Sequence, residues 1–454
     1  MKKQLLSLLM ASTMLLSFSK TTFAEPIPEP QIVGKYAITV DASTGEVIYA
    51  KDPDARVYPA SVTKVMTAIL VEKLFKIDDM VTYTQTAKIQ DPSSINMDIV
   101  DIPIGQQIPV SAALKAMMLY SANDMTELVA TNYPTKGSDS NKEFVALMNS
   151  EAKVLGMNST NFVTTNGLDD NTNEHLTTAY DLSIMAREAA KYPNIRAVWQ
   201  LPNPTNIDFP GLTSVQVGNP NKFLQQGTDF YDPSCVGVKS GFTDKAGRCL
   251  LSVFERNGRQ IVGIVLNCET SYLNQTIYTD MKNIINYSYQ AQRSLLTTTE
   301  PATGKVTSYS KDSLLTTIPV EYKEYITWGK TKTIDVPVYL AEDASIYSNA
   351  FNLSSLNVKY NYDIDLFKDD EKNIIGTVTI QERERTTNIP IYTNINSSVM
   401  KTLTKTVLPS LSKSTSNSIY IYTAVASLSV AVITLGVIVH RNRKVKRNTK
   451  NKSL

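Results

Sequence analysis

Tyr58-Pro59-Ala60-Ser61-Val62-Thr63-Lys64-Val65-Met66-Thr67 sets a serine and a lysine three residues apart at the start of an apolar run that continues through Ala68, Ile69 and Leu70. Proline just before the serine can open a helix. Three helical residues rise about 4.5 Å and nearly complete a turn, so both side chains share one face. An amine placed there can take the hydroxyl proton and make serine nucleophilic without histidine. The chain has only two histidines, and His440 lies at the end of a long apolar segment. His175 precedes a helical pattern at Thr178 with no evident acid–serine partner, and reads as structural.

Ser-x-x-Lys alone is a weak signal; it begins here at Ser17, Ser61, Ser150, Ser308, Ser398 and Ser410. Only Ser61 follows a helix-opening proline and precedes an apolar helix. Working downstream, Ser121-Ala122-Asn123 follows an apolar helical run, at a junction where side chains can enter a cleft. Ser-x-Asn also occurs at Ser94 and Ser159. Lys239-Ser240-Gly241 lies on a strand-like run and is the single Lys-[Ser/Thr]-Gly in the chain. The three in this order, about 60 and 120 residues apart, are far less expected by chance than any one.

The set resembles the penicillin-binding protein and serine β-lactamase superfamily. Ala37 to Val47, Pro59 to Thr67, Asn166-Gly167-Leu168, Thr177 to Leu182 and Lys239 to Gly247 are similar to low-molecular-mass D-alanyl-D-alanine carboxypeptidases of the S11 type. The likeness is strong from about Gly34 to Arg293. It implies Ser61 as nucleophile, Lys64 as its base, Ser121 as proton relay and Asn123 as orienting amide. It implies Lys239, Ser240, Gly241, Phe242 and Thr243 as substrate-binding, with the backbone amides of Ser61 and Phe242 as oxyanion hole. The family more often has threonine where Ser240 stands; serine keeps the hydroxyl and loses a methyl. The implied activity removes the terminal D-alanine from peptidoglycan stem peptides ending in D-Ala-D-Ala, with β-lactams as covalent inhibitors. A serine β-lactamase, a D,D-endopeptidase and a catalytically silent wall binder remain alternatives. Against the β-lactamase, no Glu-x-x-Leu-Asn lies between the second and third motifs.

At 454 residues, 42% of them hydrophobic, the chain suggests two or three folded domains. Its net charge of +2 hides an asymmetry: seven Lys/Arg follow residue 440, and Lys2, Lys3 and Lys20 sit near the start. Between them the balance is about −8, which excludes a nucleic-acid binder. No Cys/His cluster points to a metal, and no cofactor is implied. Cys235, Cys249 and Cys268 read as buried free thiols, with a Cys249–Cys268 disulfide as the alternative.

The fold expected is α+β: a penicillin-binding/β-lactamase-like domain, an antiparallel sheet covered by helices, then a small all-β domain and a C-terminal transmembrane helix. The boundaries are a signal peptide over 1–24, the enzyme domain over 25–293, a Thr/Pro linker over 294–304 and a β domain over 305–393. A polar stalk over 394–418, an uncharged span over 419–439 and a basic tail over 440–454 follow. Twenty-one uncharged residues are about 32 Å of helix, enough to cross a bilayer. The basic tail should stay inside. The expected placement is therefore single-pass in the cell membrane, with the enzyme domain outside and the C-terminus cytoplasmic. Tyr322, Tyr325, Tyr339, Tyr347, Tyr360 and Tyr362 form either a core stripe, the favoured reading, or a glycan-binding face.

Overall fold

The computed structural model describes residues 27–134, 139–269, 275–300, 302–325, 328–383 and 385–404. The described residues fall into two compact units: 27–316 with 338–364 and 374–393, and 317–337 with 365–373 and 394–404.

The first unit is built on one antiparallel sheet. Strands β1 (Tyr36–Asp41), β2 (Val47–Lys51), β3 (Cys235–Thr243), β4 (Gly247–Arg256) and β5 (Arg259–Cys268) lie in the order β2-β1-β5-β4-β3. The two N-terminal strands thus join one end of a C-terminal meander, and β3 forms the other edge. β4 and β5 are joined through Asn257 and Gly258, both at positive φ (52° and 76°). That is the twist a two-residue hairpin turn requires.

Alternation along the strands sends side chains to two separate cores. Leu251, Val253, Val262 and Ile264 join the larger one, with Val65, Met66, Ile69 and Leu70 of helix α1 (Lys64–Leu74). Leu250, Phe254, Ile261 and Val265 join the other. There they meet Met281, Ile284 and Ile285, which come from a helix that flanks the sheet over Thr276–Gln290. Helix α1 is buried along its first eight residues, Lys64 to Val71. A helix wrapped by apolar neighbours on every side belongs at a domain centre. Around it lie α2 (Asn123–Thr131), α3 (Ser140–Leu155) and α4 (Ala179–Ala189).

A second five-stranded sheet uses Leu314–Tyr325, Trp328–Leu340, Arg385–Thr393, Asn373–Glu382 and Leu356–Tyr362, adjacent in that order. The expected Thr/Pro linker carries short strands at Ser294–Leu295 and Thr297–Thr299. Within the first unit, Glu46 is buried between Arg293 and Arg385, each 3.3 Å away. The tyrosines divide: Tyr347 is buried and Tyr362 is exposed, so neither a core stripe nor a single open face describes them. In the second unit, a short helix over Ser397–Leu403 is tied by the Ser397 amide to the Lys368 carbonyl at 2.8 Å.

The expected single-pass membrane placement is corrected. Among the described residues no helix is long and apolar enough to cross a membrane. The longest, α3, has 16 residues and a charged face, against the roughly 20 apolar residues a span needs. Segments 1–24 and 419–439 lie outside the described residues.

Ala60, just before Ser61, has φ 48°, and Gly167 at φ 95° lies directly against it. A Cβ on Gly167 would come within 1.9 Å of the Ala60 carbonyl oxygen. Gly156, at φ 89°, has nothing within 4 Å of such an atom. Gly167→Ala should cost about 2 kcal/mol or more and Gly156→Ala about 1 kcal/mol. Urea unfolding of both variants tests this; equal losses would show that the close approach is relaxed at no cost.

Candidate active site

Ser61 occupies a single 3₁₀ turn, Ala60–Thr63, that leads into α1. The lysine follows it onto the same face, and Lys64 Nζ lies 3.0 Å from Ser61 Oγ. The amine has two further partners, Asn123 Oδ1 at 2.7 Å and the Asn166 carbonyl at 2.8 Å. Lys64 is completely buried. Burial first, and then the charge of Lys239, hold its amine well below the ordinary lysine range, while Glu127 and Asp124 pull the other way. None of its three hydrogen-bond partners is a carboxylate. The arrangement favours a neutral amine beside a hydroxyl, and a neutral amine accepts a proton.

Ser121 and Asn123 reach this point through a break in the chain. The helix over Val110–Lys115 widens into a π-turn over Ala116–Tyr120 and stops at Ser121, which is left-handed at φ 64°. Asn123 then starts α2. Its Nδ2 donates to the Pro92 carbonyl at 2.6 Å, which fixes the amide so that Oδ1 faces Lys64. Asp124 anchors the same corner by accepting the backbone amides of Ile95 and Asn96, both at 3.1 Å.

Lys239 arrives from edge strand β3, again almost fully buried, with Nζ donating to Ser121 Oγ at 3.1 Å and to the Ser240 carbonyl at 2.7 Å. Burial pushes its amine down to about 7. Gly241 brings the strand against the nucleophile turn: a Cβ there would lie 2.8 Å from the Ser61 nitrogen. Any side chain would push the strand off the serine, which is the reason for glycine.

The structure therefore gathers Ser61, Lys64, Ser121, Asn123, Lys239 and Gly241. It does not gather every expected side chain. Ser240 and Phe242 pair with Leu250 and Arg248, so they alternate to the opposite face of the strand. The Phe242 ring is half-exposed beneath the Arg248 guanidinium, 4.2 Å from its centroid. The Thr243 hydroxyl donates to Asp169 Oδ2 at 2.7 Å and so ties the strand end to the 166–173 loop.

His175 is structural, as expected, and close to the site. Its Nδ1 accepts the amides of Val163 and Thr164 at 2.9 and 3.2 Å. Nε2 therefore carries the proton and donates to Thr63 Oγ1 at 2.8 Å. Sequence reasoning missed the Asn166 carbonyl and Glu127. Backbone acceptors leave no residue-type signal. Glu127 did leave one: it stands four residues after Asn123, one turn along the same helix face. Cys235, Cys249 and Cys268 are all free and buried, so the disulfide alternative falls. Among the described residues no cluster of His, Cys, Asp or Glu could hold a metal.

The fold is that of the penicillin-binding D,D-peptidases. The crystal structure of a D-alanyl-D-alanine carboxypeptidase from Mycobacterium tuberculosis H37Rv matches with a TM-score of 0.52 at 23% identity, covering 59% of this chain and 96% of that one. The chain belongs to the peptidase S11 family, D-alanyl-D-alanine carboxypeptidase, which it matches over residues 21–270. It is 31% identical over 281 residues to the D-alanyl-D-alanine carboxypeptidase DacF of Bacillus subtilis (strain 168), across 59% of this chain and 67% of that protein. It is 28% identical over 283 residues to a D-alanyl-D-alanine endopeptidase of Pseudomonas aeruginosa, across 60% and 85%.

Burial above all holds His175 down at about 4, against 6.5 for the free side chain. Between those values the unfolded chain binds a proton that the folded chain does not. His175 thus makes stability rise with pH across about 4 to 6.5, and that stability is lost as pH falls. The contribution is about 3 kcal/mol. Urea titrations from pH 7 to pH 4 should show this slope, and His175→Gln should remove it. A slope kept whole in the variant would assign it to other groups.

Proposed function

We propose that this chain is a serine-type D-Ala-D-Ala carboxypeptidase that releases the terminal D-alanine of peptidoglycan stem peptides through an acyl-enzyme on Ser61. The observation that carries this reading is the buried Lys64 amine, 3.0 Å from the Ser61 hydroxyl and bonded to no carboxylate.

Ser61 Oγ attacks the carbonyl carbon between the two D-alanines while its proton passes to Lys64 Nζ. Keeping that lysine neutral near pH 7 requires about 4–5 kcal/mol of differential stabilisation, a scale that complete burial beside a second buried amine can supply. The backbone amides of Ser61 and Phe242 donate to the oxyanion of the tetrahedral intermediate, a contribution of about 3–4 kcal/mol in other acyl transferases. Phe242 serves through its main chain, in keeping with a side chain on the far face. Ser121, 3.1 Å from Lys239, relays a proton to the departing amine of D-alanine. Asn123 orients Lys64 and the substrate amide.

Lys239, when charged, binds the terminal carboxylate beside Ser121. Binding that carboxylate draws a proton onto Lys239 and reverses the effect of burial. Water then hydrolyses the ester and frees Ser61. β-Lactams offer the same acyl carbon and carboxylate, and acylate the same serine. Residues 1–24 act as an export signal and 305–393 as a small β domain. Release of one terminal residue, rather than cleavage of cross-links, is favoured by a site that holds a carboxylate.

A fluorescent penicillin followed by peptide mapping should place an adduct of minutes' lifetime on Ser61. Lys64→Met should slow its formation by about 1,000-fold. D-alanine should appear from a pentapeptide ending in D-Ala-D-Ala and fail to appear with Ser61→Ala. Rapid turnover of the drug would instead mark a β-lactamase, and cleavage only of cross-linked dimers an endopeptidase.

A further inference from the structure

Glu127 is a carboxylate that the scheme above does not use, yet it sits beside that scheme's base. It is 6% exposed. It lies one turn along α2 from Asn123, whose Oδ1 contacts Lys64. Its Oε1 accepts the Thr165 hydroxyl at 2.5 Å, and its Oε2 accepts the Asn141 side-chain amide. Thr165 is further pinned by the Thr67 hydroxyl of α1, which donates to its carbonyl at 2.5 Å. The next carbonyl along, that of Asn166, accepts Lys64 Nζ. One short strap of backbone is thus held by Glu127 on one side and by the lysine on the other.

We propose that Glu127 is a positioning residue for acylation: its buried carboxylate holds the Thr165–Asn166 strap against Lys64 and sets the pH at which the amine becomes free to take the Ser61 proton. The inference rests on the role given to Lys64 above.

The charges that face Lys64 come from two elements. Lys239 on β3 lowers its hold on a proton; Glu127 and Asp124 on α2 raise it. From the 163–177 segment His175 is neutral, and from α3 Asn141 is neutral. Asp124 spends its oxygens on the amides of Ile95 and Asn96 and on the Tyr83 hydroxyl. Glu127, like Asp124, has only neutral hydrogen-bond partners. Of the two carboxylates its charge acts more strongly on the amine and offsets part of the effect of Lys239. An anion strengthens the amine's hold on its proton, so removing it must let Lys64 become neutral at lower pH.

The test is the rate of Ser61 acylation by a fluorescent penicillin from pH 4.5 to 9, for the parent, Glu127→Gln and Glu127→Asp. Glutamine keeps an acceptor for Thr165 and loses the charge. The acid limb should move down by about 1 unit in E127Q, making it up to about tenfold faster than the parent below the parent's midpoint. It should return towards the parent position in E127D. Rates are read from the labelled fraction, so misfolded molecules lower the amplitude and leave the rate constant intact. Coincident limbs for parent and E127Q, or an upward shift, overturn the proposal. An E127Q protein that labels at no pH overturns it too, by making Glu127 purely structural. A parent that forms no adduct on Ser61 removes the reading of Lys64 itself, and this inference with it.

Discussion

A lysine amine enclosed away from water, touching Ser61, Asn123 and the Asn166 carbonyl, is the constraint on which the rest of the architecture depends. Removing such a group from water is costly unless it sheds its charge and fills its hydrogen bonds. Both requirements reach far into the fold. Enclosure needs α1 to run through the middle of the larger core. Hydrogen bonding needs one acceptor from the start of α2 and one from a loop more than a hundred residues downstream. That loop comes close because Gly167 has no side chain to strike the Ala60 carbonyl. The acceptor on Asn123 faces inward because its other amide atom is held by Pro92.

Two lysines in one pocket have opposite duties in the proposed mechanism under nearly identical burial. There Lys64 gives up its proton before the reaction, and Lys239 keeps one to meet an anion. Their neighbours separate them. Lys239 has a hydroxyl and its own strand's carbonyl as partners and lies on a sheet edge, where a ligand's carboxylate can restore its charge. Lys64 is held by Ser61, Asn123 and the Asn166 carbonyl instead.

Much of this was legible from residue spacing. Ser61 and Lys64 follow from one helical turn, and the β1–β2 and β4–β5 hairpins follow from turn residues between alternating runs. The edge position of Lys239-Ser240-Gly241 was not legible, because strand order depends on pairings between distant segments. The alternation that turns Ser240 and Phe242 away from Lys239 was open to reading, since strand side chains alternate. The π-turn and left-handed Ser121 have no signature in residue preference; packing imposes them. The short strands at Ser294–Leu295 and Thr297–Thr299 were hidden by a Thr/Pro composition that suits linkers as well as edges. The membrane placement rested on hydropathy of a segment apart from the described fold, and the described helices give it no support.

The three free cysteines are distributed one to a strand, Cys235 on β3, Cys249 on β4 and Cys268 on β5. Burial pushes each thiol up to about 12, so almost none is present as thiolate at neutral pH. While the sheet is closed, buried protonated thiols react slowly with oxidants and alkylating reagents. Parting of the strands would restore their ordinary acidity at once. The sheet thus carries three internal alarms, one on each strand of the meander, and their modification would chart the order in which it opens.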